Sequence, residues 1–128
     1  MRPLYKAHSW DSVIKRYWDQ SKRNKGFKRI ADLAEKLSKS PYAKDIYPIA
    51  SMNTILLAQT PEFNPNKEVL AIDYDFENEY FTLKFREHAD PKRKSWTKYC
   101  PPDEVYPGVV HFFRLQKWFA EFPDQKNK

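Results

Sequence analysis

Four acidic residues lie close together in the middle of the chain, at Asp73, Asp75, Glu77 and Glu79. Such a cluster could hold a divalent cation, supply a catalytic acid–base pair, or bind a basic protein surface. The segment lacks the glycine and the ligand spacing of an EF-hand, and no histidine stands beside it to act as a proton relay. We therefore expect no metal or other cofactor. A patch that binds a partner protein and an ordinary solvated strand face both remain open.

Two clusters of basic residues could instead bind phosphate groups. Trp96 follows the second cluster in the sequence and could stack on a base. The same charges are also typical of a solvated turn at the ends of two helices. Asp32 and Glu35 share the second predicted helix with some of these cations and would repel a phosphate backbone. Nucleic-acid binding through the two clusters is thus an alternative function. The clusters are Lys22, Arg23, Lys25, Lys28 and Arg29, and then Lys92, Arg93 and Lys94.

The histidines and the single cysteine do not form a recognisable catalytic motif. His8, His88 and His111 are not at the spacing of helical or zinc-finger metal ligands, and Cys100 has no second cysteine. An enzyme would need a pocket that brings one of these groups beside an acidic residue. The pattern therefore favours a non-enzymatic protein.

Three residues near the end of the chain form a second candidate binding surface. His111, Arg114 and Trp118 lie at i, i+3 and i+7, opposite the apolar arc of a predicted helix. Arginine and tryptophan are enriched among the residues that dominate protein–protein interfaces. The alternative is that Trp118 covers the seam between helix and sheet, with the stem of Arg114 alongside it.

Apolar residues recur at helical spacing in three segments that are largely free of proline. Ser9 is placed to cap the first helix, and Gly26 is a plausible end for it. A short polar turn joins the first two segments, which predicts an αα-hairpin. The predicted helices cover about residues 9–23, 27–39 and 109–122.

Strict alternation of apolar residues predicts a β-hairpin over residues 69–86, with a turn at Glu77-Asn78. In this register all the large apolar side chains share one face, while Asp73 and Asp75 lie on the other. A shift of one residue would reverse the two faces, so the register is strongly specified. The predicted pairs are Leu70 with Phe85, Ile72 with Leu83, and Tyr74 with Phe81.

Residues 43–60 are ambiguous between helix and strand. The apolar run at 55–58 is too short for its periodicity to decide, and Pro48 argues against a long helix. We predict a strand at about 53–59, and a short edge strand at 96–100 before two prolines end it.

These elements predict an α+β fold in which an N-terminal αα-hairpin, an antiparallel sheet of three to four strands and a C-terminal helix pack together. With 128 residues the chain is expected to be a single domain spanning 1–128, with a free tail at 124–128. It has no apolar run long enough to cross a membrane, and from its first residues we expect no secretory signal. A single cysteine excludes an internal disulfide and fits a reducing compartment, so we expect a cytoplasmic location.

Charge is distributed unevenly along the chain, whose net charge is +6. Residues 1–40 carry 11 positive and 4 negative groups, residues 41–90 carry 4 and 9, and residues 91–128 carry 8 and 4. These sums predict a basic helical end and an acidic hairpin. Separated charges of this kind can steer a partner of complementary charge.

The C-terminal third resembles small bacterial immunity proteins, single-domain inhibitors that protect a cell from a toxin. The resemblance implies a cytoplasmic, non-catalytic protein that binds and blocks a toxin domain. Together with the residue patterns, it favours a protein-binding module that uses the acidic hairpin or the His111, Arg114 and Trp118 surface. It rests on Trp96-x-Lys98-x-Cys100-Pro101-Pro102, followed by Phe112-Phe113 and Trp118-Phe119.

Overall fold

Two helices, a sheet and a third helix follow one another along the chain. The computed structural model describes residues 7–62, 69–86, 95–115 and 118, except for the side chains of residues 85, 86, 95 and 96. The α+β class is confirmed, but the sheet has five strands instead of three to four. The elements are α1 (Trp10–Ser21), α2 (Gly26–Ser38), a 3-10 turn (Ala43–Asp45), β1 (Tyr47–Ser51), β2 (Thr54–Ala58), β3 (Val69–Asp75), β4 (Tyr80–Arg86), β5 (Ser95–Cys100) and α3 (Val105–Leu115).

The first two helices form the predicted αα-hairpin. Ser9 caps α1, because its Oγ accepts a hydrogen bond of 3.1 Å from the backbone N–H of Ser12. Trp18 on α1 donates its indole N–H to Glu35 Oε1 on α2 at 2.7 Å, which ties the two helices together. Gly26 does not end α1 as predicted but is the first residue of α2.

The sheet is a meander in which every neighbouring pair of strands is antiparallel, in the order β1-β2-β3-β4-β5. The register predicted for the hairpin of β3 and β4 is confirmed at all three pairs. The connection is longer than predicted: Asp75 and Tyr80 are the last pair, and the four residues 76–79 form the turn. The predicted strand at about 53–59 is confirmed as β2, and that at 96–100 as β5.

The additional strand is β1, which contains Pro48. A proline cannot donate a hydrogen bond within a sheet, but an edge strand can hold it with its nitrogen facing outward. On that outer side His8 N–H donates to the carbonyl of Pro48 at 2.8 Å, and Ala50 N–H donates to His8 Nδ1 at 3.2 Å. His8 therefore covers part of the edge that β1 would otherwise leave open.

α3 differs from the predicted helix at both ends. It begins at Val105, so that Pro107 lies in its first turn, where a backbone N–H has no acceptor within the helix. Trp118 is not helical, and its N–H donates to the carbonyl of Phe113 at 3.1 Å, in a pattern that closes many helices. The predicted tail at 124–128 lies outside the described residues.

All three helices pack on one face of the sheet. The hydroxyl of Tyr17 on α1 donates to the carbonyl of Thr54 on β2 at 2.9 Å. A Cβ at Gly108 on α3 would lie 3.1 Å from Cys100 Sγ on β5, so this helix and the sheet are in close contact. The buried side chains of helices and strands form one hydrophobic cluster. Among the described residues, no helix is long and apolar enough to cross a membrane.

Candidate partner-binding groove

A groove of about 410 Å³ runs between the outer side of α3 and the segment that follows α2. Its volume falls in the range typical of ligand sites, roughly 300–1,000 Å³. Two of its residues, His111 and Arg114, are predicted binding residues. The described residues that line it are Pro41, Tyr42, Tyr106, Pro107, Val110, His111 and Arg114.

The groove exists because α3 is apolar on two sides. One stripe is buried in the core and contains Val109, Phe112 and Phe113. A second stripe, formed by Tyr106, Val110 and Arg114 at i, i+4 and i+8, faces the groove. A surface helix normally has polar residues opposite its buried face. In this stripe Tyr106 and Val110 are partly buried and pack against the core cluster, so their surface is shared between the core and the groove.

The opposite wall is held firmly in place by the core. Tyr42 is 3% exposed, and its ring centroid lies 5.5 Å from that of Phe113. The turn around it is closed by hydrogen bonds from Tyr42 N–H to Ser40 Oγ at 3.3 Å and from Ala43 N–H to the carbonyl of Ser40 at 3.2 Å. The indole N–H of Trp10 donates to the carbonyl of Ala43 at 3.3 Å. A preformed wall lowers the entropy lost on binding.

The described lining of the groove includes one imidazole and one guanidinium. His111 is exposed, Arg114 is partly buried, and none of the described lining residues is a carboxylate. Leu115, beside Arg114 in the sequence, is 53% exposed. The described surface thus combines apolar side chains with a guanidinium, as protein interfaces often do.

Five groove residues were not singled out by the sequence patterns. Tyr106 and Pro107 precede the predicted start of the last helix, and Pro41 and Tyr42 fall between predicted elements. Tyrosine and proline are neighbours at three places in the chain, Pro41-Tyr42, Tyr47-Pro48 and Tyr106-Pro107, so this pairing alone does not single out the groove. Only the fold shows that the first and the last of these pairs line the groove together with Val110.

Trp118 is separated from the other two predicted residues of its cluster. Its ring is stacked on Phe113, with centroids 5.3 Å apart, and contacts Phe112 edge-on at 5.2 Å. The predicted i, i+7 relation with His111 fails because the helix ends before Trp118. Of the two interpretations, packing at the seam describes the position of Trp118.

Asp75 is engaged by its own turn. Its Oδ1 accepts hydrogen bonds from the backbone N–H groups of Glu77 at 2.9 Å and Asn78 at 3.2 Å, and its Oδ2 accepts one from Asn78 Nδ2 at 2.9 Å. The side-chain bond from Asn78 is the largest of the effects that lower the pKa of Asp75 below 3.8. This carboxylate therefore has a structural role in the hairpin.

Asp73 and Glu77 lie in a shallow cavity of about 680 Å³ that Asp75 also lines. Asp73 accepts a hydrogen bond from Thr54 Oγ1 on β2 and forms an ion pair of 3.4 Å with Lys84 on β4. Glu77 is exposed at the turn. Asp73 thus has partners on the neighbouring strands and Asp75 has partners in its own turn.

Glu79 lies apart from this group. It has a positive φ of 56° at the end of the turn. There it lines a cleft of about 400 Å³ together with Lys25, Lys28 and Arg29 from the start of α2. The structure therefore divides the predicted acidic cluster and places one member beside the predicted basic cluster.

The remaining basic candidates are dispersed. Lys22 and Arg23 are exposed after the last turn of α1, and Lys22 lies 4.0 Å from Asp19. Trp96 belongs to β5, but its side chain is outside the described part of the chain. Lys92, Arg93 and Lys94 also lie outside the described residues.

Cys100 is buried on the inner face of the sheet. Burial is the main cause of the raised pKa of its thiol, which is therefore protonated at neutral pH. In the described ranges no three His, Cys, Asp or Glu side chains are grouped in a way that could hold a metal ion.

Comparisons with models of protein families, with curated proteins and with solved structures find no match to this chain.

Proposed function

We propose that this protein is a non-enzymatic protein-binding module that acts through the groove between α3 and the Pro41-Tyr42 segment. The observation that carries the proposal is the side of α3 that lines the groove. There the partly buried side chains of Tyr106 and Val110, which also pack against the core, lie next to the guanidinium of Arg114. Tyrosine and arginine are enriched where partner proteins bind most strongly.

The groove supports this function better than the acidic hairpin does. A carboxylate that binds a partner must give up the contacts that it already has. Asp75 would lose three hydrogen bonds and Asp73 its ion pair with Lys84. In the groove, part of the free energy of binding would come from the removal of apolar side chains from water, which does not require the exchange of a polar contact.

A narrower form of the proposal is that the partner is a toxin domain and that the protein is an immunity protein. The resemblance in the C-terminal third supports this form. Its test is growth of bacterial cells that produce a toxin encoded beside this chain. Co-production of the wild-type protein should restore growth, and His111→Glu should reduce protection. A toxin that is equally active with and without the wild-type protein would refute this form.

Site-directed photo-crosslinking tests the broader proposal. A benzoylphenylalanine in place of Tyr106 should form one adduct of defined mass in the native cells, because this side chain borders the groove. The matched control carries the same group in place of Lys15, which is exposed on α1. Equal adducts from both positions, or none from position 106, would show that the groove is not the binding surface.

Nucleic-acid binding remains a second candidate, and one observation favours it. Lys25, Lys28 and Arg29 lie at the start of α2, where the helix dipole favours acidic residues. A bound phosphate would offset the unfavourable interaction of these cations with the helix dipole. Retardation of duplex DNA should then weaken steeply with salt, and Lys28→Glu should weaken it more than Lys36→Glu. Asp32 and Glu79 in the same cleft oppose this function.

A further inference from the structure

The edge of β1 is covered by His8 through both its backbone and its side chain. The backbone N–H of His8 donates to the carbonyl of Pro48 at 2.8 Å, and its Nδ1 accepts a hydrogen bond from the N–H of Ala50 at 3.2 Å. A neighbouring strand would accept the bond from Ala50 with a backbone carbonyl. At this edge the imidazole takes the place of that carbonyl.

Only a neutral imidazole can accept this hydrogen bond. Its Nδ1 must be without a proton, so the single ring proton of His8 is on Nε2. A protonated ring carries a hydrogen on both nitrogens and would point a donor at the donor of Ala50. Histidine is the side chain that ordinarily gains or loses a proton within roughly pH 5–8. The bond to Ala50 is therefore compatible with one protonation state of His8 and incompatible with the other.

The described surroundings of His8 hold no ion pair that would replace this bond. The segments beside it are β1, the turn before β1, the first turn of α1 and residues 61–62. Among the described residues, no carboxylate forms an ion pair with His8. Protonation thus removes a hydrogen bond without a charged partner already in place. The charged or titratable side chains of these segments are Asp11, Lys44, Asp45, Tyr47 and Glu62.

We propose that His8 is a pH-dependent latch on the edge of β1, closed when the imidazole is neutral and open when it is protonated. The backbone hydrogen bonds that Ala7 and His8 donate to the neighbouring segments, both 2.8 Å long, do not titrate. Opening therefore frees the N–H of Ala50 without releasing the backbone before α1. A free N–H on a strand edge is a group with which another chain can pair, so the edge is protected at Ala50 only while His8 is neutral.

Hydrogen exchange of backbone amides, measured by NMR on the full chain at about pH 8 and about pH 5, tests the latch. Each rate is expressed as protection relative to an unstructured peptide at the same pH. We expect the protection of the Ala50 amide to fall at least about fivefold at the lower pH, as for the loss of one hydrogen bond. The control amide is that of Tyr74, which donates to the carbonyl of Asn53 at 3.0 Å and should keep its protection.

Two variants at position 8 identify the group responsible. In His8→Asn the side-chain oxygen can take the place of Nδ1 and does not titrate, so Ala50 should stay protected at both pH values. In His8→Ala the acceptor is absent, so the protection of Ala50 should be low at both. Protection of Tyr74 reports that each variant is folded, as expected for changes at an exposed side chain. Equal protection of Ala50 at both pH values in the wild type, or the same fall in His8→Asn, would overturn the proposal.

Discussion

Among individual residues, Asp75 has the side chain of a binding residue but stabilises its own turn. The turn at 76–79 has no glycine, and Glu79 adopts a positive φ that costs free energy for a residue with a side chain. Hydrogen bonds to Asp75 offset this cost by satisfying the N–H groups of the turn. The residue type fits both roles, and only the contacts distinguish them.

Removal of this carboxylate should destabilise the hairpin and alter its response to acid. The folded pKa of Asp75 lies below 3.8, so its contribution is present above about pH 4 and is lost as the pH falls through the folded pKa. Asp75→Ala should therefore lower the melting temperature at neutral pH and flatten its decline below pH 4. Thermal unfolding across this range is the measurement. Glu77→Ala is the control, and an equal effect of both variants would contradict the assignment.

Tyr17 should govern part of the stability at alkaline pH. Burial raises its pKa from 10.0 to about 12, so the folded state keeps a neutral phenol after the unfolded chain has ionised. Below about pH 10 this difference contributes roughly 3 kcal/mol to the free energy of unfolding, and the contribution is lost as the pH rises toward 12. Urea unfolding between these values should show a steeper decline for the wild type than for Tyr17→Phe. Parallel curves would show that Tyr17 ionises as freely as an exposed tyrosine.

At the scale of the element, close approach of helices to the sheet depends on two glycines. A Cβ at Gly26 would lie 2.3 Å from Cδ1 of Phe76, whose ring packs on Phe27 with centroids 4.9 Å apart. The first turn of α2 therefore rests directly on the ring at the end of β3. At Gly108 the neighbouring atoms lie at 3.1 and 3.3 Å, so contact there is tight but less severe.

Gly26→Ala should be destabilising, although alanine is the better helix former by about 1 kcal/mol. The added methyl group must displace the Phe76 ring, and overpacking of this kind costs about 1–3 kcal/mol. Chemical denaturation of the single variant measures the loss. In a Phe76→Ala background the same change should be less destabilising, because the nearest obstructing ring is absent, while Cε2 of Tyr74 still lies 3.0 Å from the added Cβ. A stabilising effect of Gly26→Ala alone would mean that helix and ring are not in contact.

Prediction of individual elements from the sequence succeeded where periodicity alone decides the structure. The hairpin register follows from alternation, because a shift by one residue would expose every large side chain. Two segments that contain a proline were not predicted. No strand was expected at Pro48, and the last helix was expected to begin at about residue 109, after Pro107. An edge strand and the first turn of a helix are positions that need no N–H donor, so each can hold a proline. Whether a strand is at an edge is not encoded locally.

At the scale of the whole molecule, folding changes the charge pattern read along the chain. The acidic segment and the basic N-terminal segment do not form separate poles throughout. Glu79 lies in the same cleft as Lys28 and Arg29, and Asp73 pairs with Lys84. Part of the predicted field is therefore cancelled locally.

A substitution of a packed side chain should lower the stability of the protein, whereas a substitution of an exposed side chain in the groove should mainly affect binding. Trp118 stacks on Phe113, so Trp118→Ala should lower the free energy of unfolding by about 2 kcal/mol or more. His111→Glu changes an exposed side chain and should alter stability by less than about 0.5 kcal/mol, while reducing crosslinking from position 106. Chemical denaturation of both variants provides the comparison. A large loss of stability in His111→Glu would place His111 in the packing of α3 and not at a binding surface.

The amino-acid sequence alone determined the α+β class, the αα-hairpin and the register of the central hairpin, because apolar periodicity and capping act between near neighbours. It also singled out His111 and Arg114. The tertiary structure decided what those residues face, which acids are already engaged, and that β1 completes the sheet. Such relations join positions far apart in the chain, as when Tyr42 meets Phe113, and no local spacing specifies them.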